Sequence, residues 1–183
     1  YNMVIGLPAW LASLALAIAT IWDAVSDLII GYSSDHTKSR FGRRHPYMYA
    51  ALIPVPIFFI LLWNPPTFDT DFNLFLYLLV MAILVRTFTT LFEIPNQSLG
   101  PEITREYHER TKMMSLRYFF GWMGGTIMTV LMYFVFLRPN SDYPNGQLNP
   151  EGYQIYGFVA AIIMLAAMII SSKGLNHLIP NLA

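Results

Sequence analysis

The sequence predicts an all-α, polytopic integral membrane helical bundle, and three observations predict it. Hydrophobic residues make up 55% of the 183 positions and aromatic residues 15%, against 12% charged, and the mean hydropathy is +0.46. A soluble domain of this length needs far less apolar material to fill its core. The apolar residues also gather into five stretches, each near the roughly 20 residues that cross about 30 Å of hydrocarbon as a helix. The segments between them are short and rich in Pro, Gly, Asn and Asp, which marks turns and leaves no soluble domain over.

The first span, 8 to 33, carries Ala12, Ala15, Ala19, Asp23 and Ser26 along one side, so small residues would admit a neighbouring helix close to an acid. Pro54 and Pro56 predict a kink in the second, 46 to 63. In the third, 73 to 98, Arg86, Thr90 and Glu93 share a face, and Pro95 removes the hydrogen bond that the carbonyl of Leu91 would accept, predicting a local break. The fourth, 113 to 137, holds Arg117 and a Gly121, Gly125 pair whose spacing predicts close helix packing. The fifth runs from 153 to 172. The first and third are long enough to tilt or project beyond the bilayer.

Lys38, Arg40, Arg43 and Arg44 lie in the loop 34–45 and Arg105, Arg110 and Lys112 in the loop 99–112, while the other two loops hold only Arg138. The positive-inside rule puts the first two loops in the cytoplasm and the region past Lys173 there as well. The chain then begins on the outer side. With no initiator Met or signal peptide, that predicts a fragment with at least one span missing before Tyr1 and room for more beyond Ala183.

Five charges, Asp23, Asp27, Arg86, Glu93 and Arg117, fall inside spans. Each costs about 2.5–3.5 kcal/mol near the bilayer centre even on the lenient insertion scale, so they are not expected to face lipid unpaired. Asp23 and Asp27 are one helical turn apart, about 6 Å along the axis, on one face. Two carboxylates that close cannot both ionise cheaply in a low dielectric unless a cation lies between them or one keeps a proton. That is the chemistry of a Na+ or H+ coupling site. The plainer reading is that the acids are tied to Arg86 or Arg117 and only fix helix packing.

Other signals carry no chemistry. The net charge is zero and the basic residues form short runs beside spans, which gives no surface for nucleic acid. Cysteine is absent, and His36, His45, His108 and His177 lack metal-ligand spacing. No metal beyond Na+ at the acids and no organic cofactor is expected. Asn96-Gln97-Ser98 fits the glycosylation pattern at a depth where no glycan is added. No phosphate loop, dinucleotide fingerprint or nucleophile elbow is present, so nothing argues for an enzyme.

The stretch "IWDAVSDLIIGYSSDHTKSRFGRRHPY" resembles the second helix and following loop of the glycoside-pentoside-hexuronide:cation symporter family (melibiose permease-like), within the major facilitator superfamily. Gly31, Asp35, Gly42, Arg43 and Arg44 resemble the superfamily's cytoplasmic loop motif, which takes part in conformational change. "LFEIPNQSLGPEIT" and "HERTKMMSLRYFFG" resemble the fourth helix, its loop and the fifth helix of the same family. The resemblance assigns the spans to helices 2 to 6 of twelve, in the N-terminal half of a major facilitator fold. It implies that Asp23, Ser26, Asp27 and Thr90 surround the coupling cation and that Glu93 and Arg117 face the substrate. Where melibiose permease has an aromatic near its "EIP" site, this chain has Asn96 and Gln97, so the resemblance does not extend to the sugar stacking platform or to the identity of the sugar.

The function expected is therefore cation-coupled symport of a sugar or glycoside by alternating access, in a bacterial-type cytoplasmic (inner) membrane. The partners expected are a small-molecule substrate, membrane lipid, and the missing first helix and C-terminal half of the same protein. The alternatives are transport of a lipid or sugar conjugate, and a non-transporting scaffold or receptor whose charges only join helices.

Overall fold

The computed structural model describes residues 1–37, 39, 42–103 and 106–174, of which 100–103 by backbone alone. Lys38, Arg40, Arg105 and His177 lie outside the described residues. After a single turn, α1 (Asn2–Ile5), five membrane-length helical segments follow. They are α2 (Ala9–His36), a broken pair α3 (His45–Ala51) and α4 (Pro54–Trp63), α5 (Asp71–Ile103), α6 (Tyr107–Leu131) and α7 (Pro150–Gly174). The described residues contain no strand.

The helices run past the hydropathic stretches because hydrophobicity fades before hydrogen bonding does. α2 ends at His36 and α5 continues to Ile103, while α6 begins at Tyr107. The amphipathic ends are helical although no apolar window marks them. The break in the second span falls at Leu52 and Ile53, just before Pro54, where two prolines in three residues remove donors. Pro95 behaves differently. α5 runs through it without a break, and Pro95 is fully buried. Packing of α5 among its neighbours keeps the helix continuous, so the expected interruption after Thr90 does not form.

α5 is the centre of the bundle. It packs most extensively on α2, then on α3 and α4, and only thinly on α6, while α7 lies against α4. Ala15 and Ala19 are buried in α2, and Ser26 is 3% exposed, so the small-residue stripe is the surface that lets the two helices approach. Leu7, Ala15, Leu74, Phe75 and Leu78 make one apolar cluster, and Ala51, Val55 and Met168 another. Outward faces carry Leu28, Ile29, Ile53, Ile162 and Ile170, all exposed, as expected of surfaces whose solvent is lipid.

α6 has no buried residue. Its glycines Gly121 and Gly125 meet nothing within 4 Å among the described residues, so the pair does not act there as the packing motif its spacing suggests. One glycine that does admit a neighbouring helix is Gly157 of α7. Trp63 seats against it, stacked on Tyr153 at 5.9 Å and edge-on to Tyr156 at 5.3 Å.

A Cβ added at Gly157 would stand 2.5 Å from Cβ of Trp63. Gly157→Ala is expected to cost about 1–3 kcal/mol through overpacking, seen as a lower Tm of the whole protein in detergent. Gly31→Ala, whose Cβ would meet Ile94 at an ordinary 3.7 Å, is the control and should leave Tm in place.

Candidate functional site

Within one turn of α2, two consecutive residues reach across to α5. Trp22 donates its indole N–H to Thr87 Oγ1 at 2.8 Å. Asp23 accepts from both Arg86 and Thr90: Arg86 Nη1 lies 3.0 Å from Oδ2, and Thr90 Oγ1 lies 3.2 Å from Oδ1. Arg86, Thr87 and Thr90 meet α2 together because residues three and four apart share a helix face. Thr90 is 5% exposed, which keeps this contact away from competing solvent.

Asp27, one turn further along α2, is half-buried and makes no hydrogen bond or ion pair among the described residues. With Asp23, Arg86, Thr90 and Glu93 it lines a cavity of about 230 Å³. The structure thus brings together three of the four residues expected around a cation. Ser26 is not among those lining the cavity: it is buried, and its hydroxyl donates to the Asp23 carbonyl at 3.0 Å.

Glu93 and Arg117 face each other from α5 and α6, with Arg117 Nη2 3.9 Å from Glu93 Oε1. The same Oε1 accepts from Gln97 Nε2 at 2.8 Å. These three residues, with Tyr118, Gly121 and Trp122, line a second cavity of about 410 Å³, a size within the range of small-molecule sites. Residues 114, 117, 118, 121 and 122 follow the i, i+3, i+4, i+7, i+8 pattern, so they form one face of α6 turned to α5. Glu93 and Gln97 line both cavities. The two sites share a wall.

The aromatic side chains at this cavity come from α6, not from the "EIP" region. Asn96 instead accepts a hydrogen bond from Ser171 Oγ of α7 at 3.1 Å and ties two helices. Sequence reasoning passed over Tyr118 and Trp122; the signal that would have found them is their place on the Arg117 face.

At the α2–α3 junction, Asp35 Oδ1 and Arg44 Nη2 form an ion pair of 2.9 Å, with Arg44 side chain 10% exposed and Asp35 53%. Gly42 has φ +80, a left-handed conformation that glycine adopts freely and side-chain-bearing residues resist. Gly31 lies on α2 against Ile94. Arg43 is exposed and also engaged with the rest of the chain. The Asp35–Arg44 pair therefore pins the end of α2 to the start of α3.

Comparison with known proteins adds to this geometry. A family model described as MFS/sugar transport protein matches residues 1–179. A Synechocystis sp. protein named as an uncharacterized symporter is 35% identical over 176 residues, covering 93% of this chain and 32% of its own length. The isoprimeverose transporter of Lactiplantibacillus pentosus is 28% identical, covering 93% of this chain and 34% of its own length. The sodium-dependent lysophosphatidylcholine symporter 1-A of Danio rerio is 29% identical, over 63% of this chain and 22% of its own length. The chain thus spans about a third or less of the length of these relatives.

Proposed function

The chain belongs to the MFS/sugar transport protein family, and from that premise we propose that the whole protein is a cation-coupled symporter of a sugar or glycoside, working by alternating access. The observation that carries the reading is the pair of adjoining cavities, one acidic and one polar and aromatic, with Glu93 and Gln97 in the wall of both. The smaller takes the coupling ion, Na+ or H+, at Asp27 beside Asp23 and Thr90. Ser26 supports the Asp23 end through the backbone. The larger takes the substrate: the Glu93 carboxylate accepts from hydroxyls and the Arg117 guanidinium donates to them, while Tyr118 and Trp122 offer apolar faces to a pyranose ring.

A cation at Asp27 changes the electrostatic field at Glu93, so binding at one cavity alters the other without a long relay. The Asp35–Arg44 pair, with Gly31, Gly42 and Arg43, holds one of the two access states. The seven Lys and Arg residues of 34–45 and 99–112 support a cytoplasmic position for those loops, and the membrane on this reading is a bacterial-type inner membrane. The spans serve as helices 2 to 6 of twelve, with a preceding helix and a second half completing the substrate cavity. The work is transport, with no chemical conversion and no organic cofactor.

A lipid or sugar-conjugate substrate is the second reading. Trp122, 79% exposed at the cavity, suits an acyl chain as well as a sugar face, and one relative is named for a lysophospholipid. Competition between glycosides and lysophospholipids for uptake separates the two.

Asp27→Asn in the whole protein is expected to abolish Na+- or H+-stimulated uptake while membrane insertion is retained, because the shape stays and the charge goes. Normal cation stimulation in that variant would sink the coupling assignment. Glu93→Gln removes a charged hydrogen-bond acceptor, typically about 1.5–3 kcal/mol, and is expected to weaken substrate binding roughly tenfold to a hundredfold. Equilibrium binding of a glycoside panel by the folded variant checks this, and unchanged affinity would leave Glu93 a structural partner of Arg117.

A further inference from the structure

Three acids and two arginines meet around the paired cavities. Arg86 Nη1 stands 3.0 Å from Asp23 Oδ2, and Arg117 Nη2 stands 3.9 Å from Glu93 Oε1. Asp27 lines the smaller cavity and has no cationic partner among the described residues. Each arginine stays charged under all conditions a protein meets. The balance of these five side chains is therefore one unmatched carboxylate.

Resting on the symporter reading, we propose that Arg86 is a tethered cation that permanently neutralises Asp23, which sets the summed charge of the paired cavities at minus one and makes the cation site at Asp27 selective for a single monovalent cation. Opposite unit charges in contact cancel one for one, and the carboxylate left without a partner is the one that attracts a cation. One open carboxylate calls for one Na+ or one proton. Two open carboxylates a helical turn apart, with the Thr90 hydroxyl between the helices, would suit a divalent cation, since hard divalent ions favour sites with more carboxylate oxygens. Arg86 excludes that outcome by occupying one carboxylate itself. It is a positioning residue on this account, acting through Asp23.

A role confined to joining α2 to α5 makes a different forecast. Trp22–Thr87 and Asp23–Thr90 join the same two helices beside Arg86, so loss of a mere staple would lower stability and leave ion selectivity alone.

The test is Mn2+ binding to the purified whole protein, followed by electron paramagnetic resonance, which needs no knowledge of the substrate or of the coupling ion. Arg86→Gln is expected to gain one Mn2+ site at least roughly tenfold tighter than any in the unmutated protein, as expected when a unit charge a few ångströms away is removed. Arg86→Lys, which keeps the charge, should bind no more Mn2+ than the unmutated protein. Arg86→Gln combined with Asp27→Asn should lose the new site. Folded Arg86→Gln protein without added Mn2+ affinity would overturn the proposal, as would a gain that survives Asp27→Asn. If Arg86→Gln does not fold, Arg86→Met takes its place; failure of both to fold would make Arg86 a staple and also overturn it. Failure of the symporter reading would show separately, as cation-independent uptake by the unmutated protein.

Discussion

The structure depends on Asp23 being held by α5. A carboxylate within a membrane span is tolerated when it is paired and hydrogen-bonded, and Asp23 meets that condition with Arg86 on one oxygen and Thr90 on the other. Several other features follow. α2 must lie close enough to α5 for short side chains to bridge, which is why Ala15, Ala19 and Ser26 stand where larger residues would hold the helices apart. α5 must present Arg86, Thr87 and Thr90 on one face, so it must be helical throughout that stretch, and it is. Both α5 cation and hydroxyl are spent on Asp23. Asp27 is left open.

An open carboxylate beside a closed one is a useful arrangement for coupling. The cavity that holds Asp27 shares Glu93 and Gln97 with the larger cavity on the α6 side. Charge added at the first changes how firmly Glu93 can accept hydrogen bonds at the second. α6 touches α5 only thinly and buries none of its residues, and its continuation at Met132–Phe136 rests on α7. The larger cavity therefore lies where α6 and α5 stand apart, on the opposite side of α5 from the α2 contact.

Much of this was legible in the sequence, for identifiable reasons. Span number and the all-helical class came from hydropathy, since lipid allows few other solutions. The shared face of Asp23 and Asp27, and of Arg86, Thr90 and Glu93, came from helical periodicity alone. What periodicity leaves out is which face meets which neighbour. The sequence put Arg86 among five intramembrane charges without choosing between Asp23 and the other acids as its partner. The family resemblance put Ser26 in the same ligand set as Asp27, and in the structure the Ser26 hydroxyl donates to the Asp23 carbonyl. Pro95 suggested a break because local rules count the lost hydrogen bond and not the packing that surrounds it. Gly121 and Gly125 suggested a tight crossing, yet no neighbour among the described residues comes near. Tyr118 and Trp122 were missed because exposed aromatics on a membrane helix look the same whether they face lipid or a cavity.

The central claim is that the two cavities are energetically linked through their shared wall. The most direct measurement is equilibrium glycoside affinity of the whole protein as Na+ concentration and pH are varied independently. The account predicts that one of the two ions tightens glycoside binding by roughly tenfold, within the usual span of coupling between neighbouring sites, and that glycoside tightens that ion's binding by the same factor. Glycoside affinity that stays constant across both titrations would contradict it.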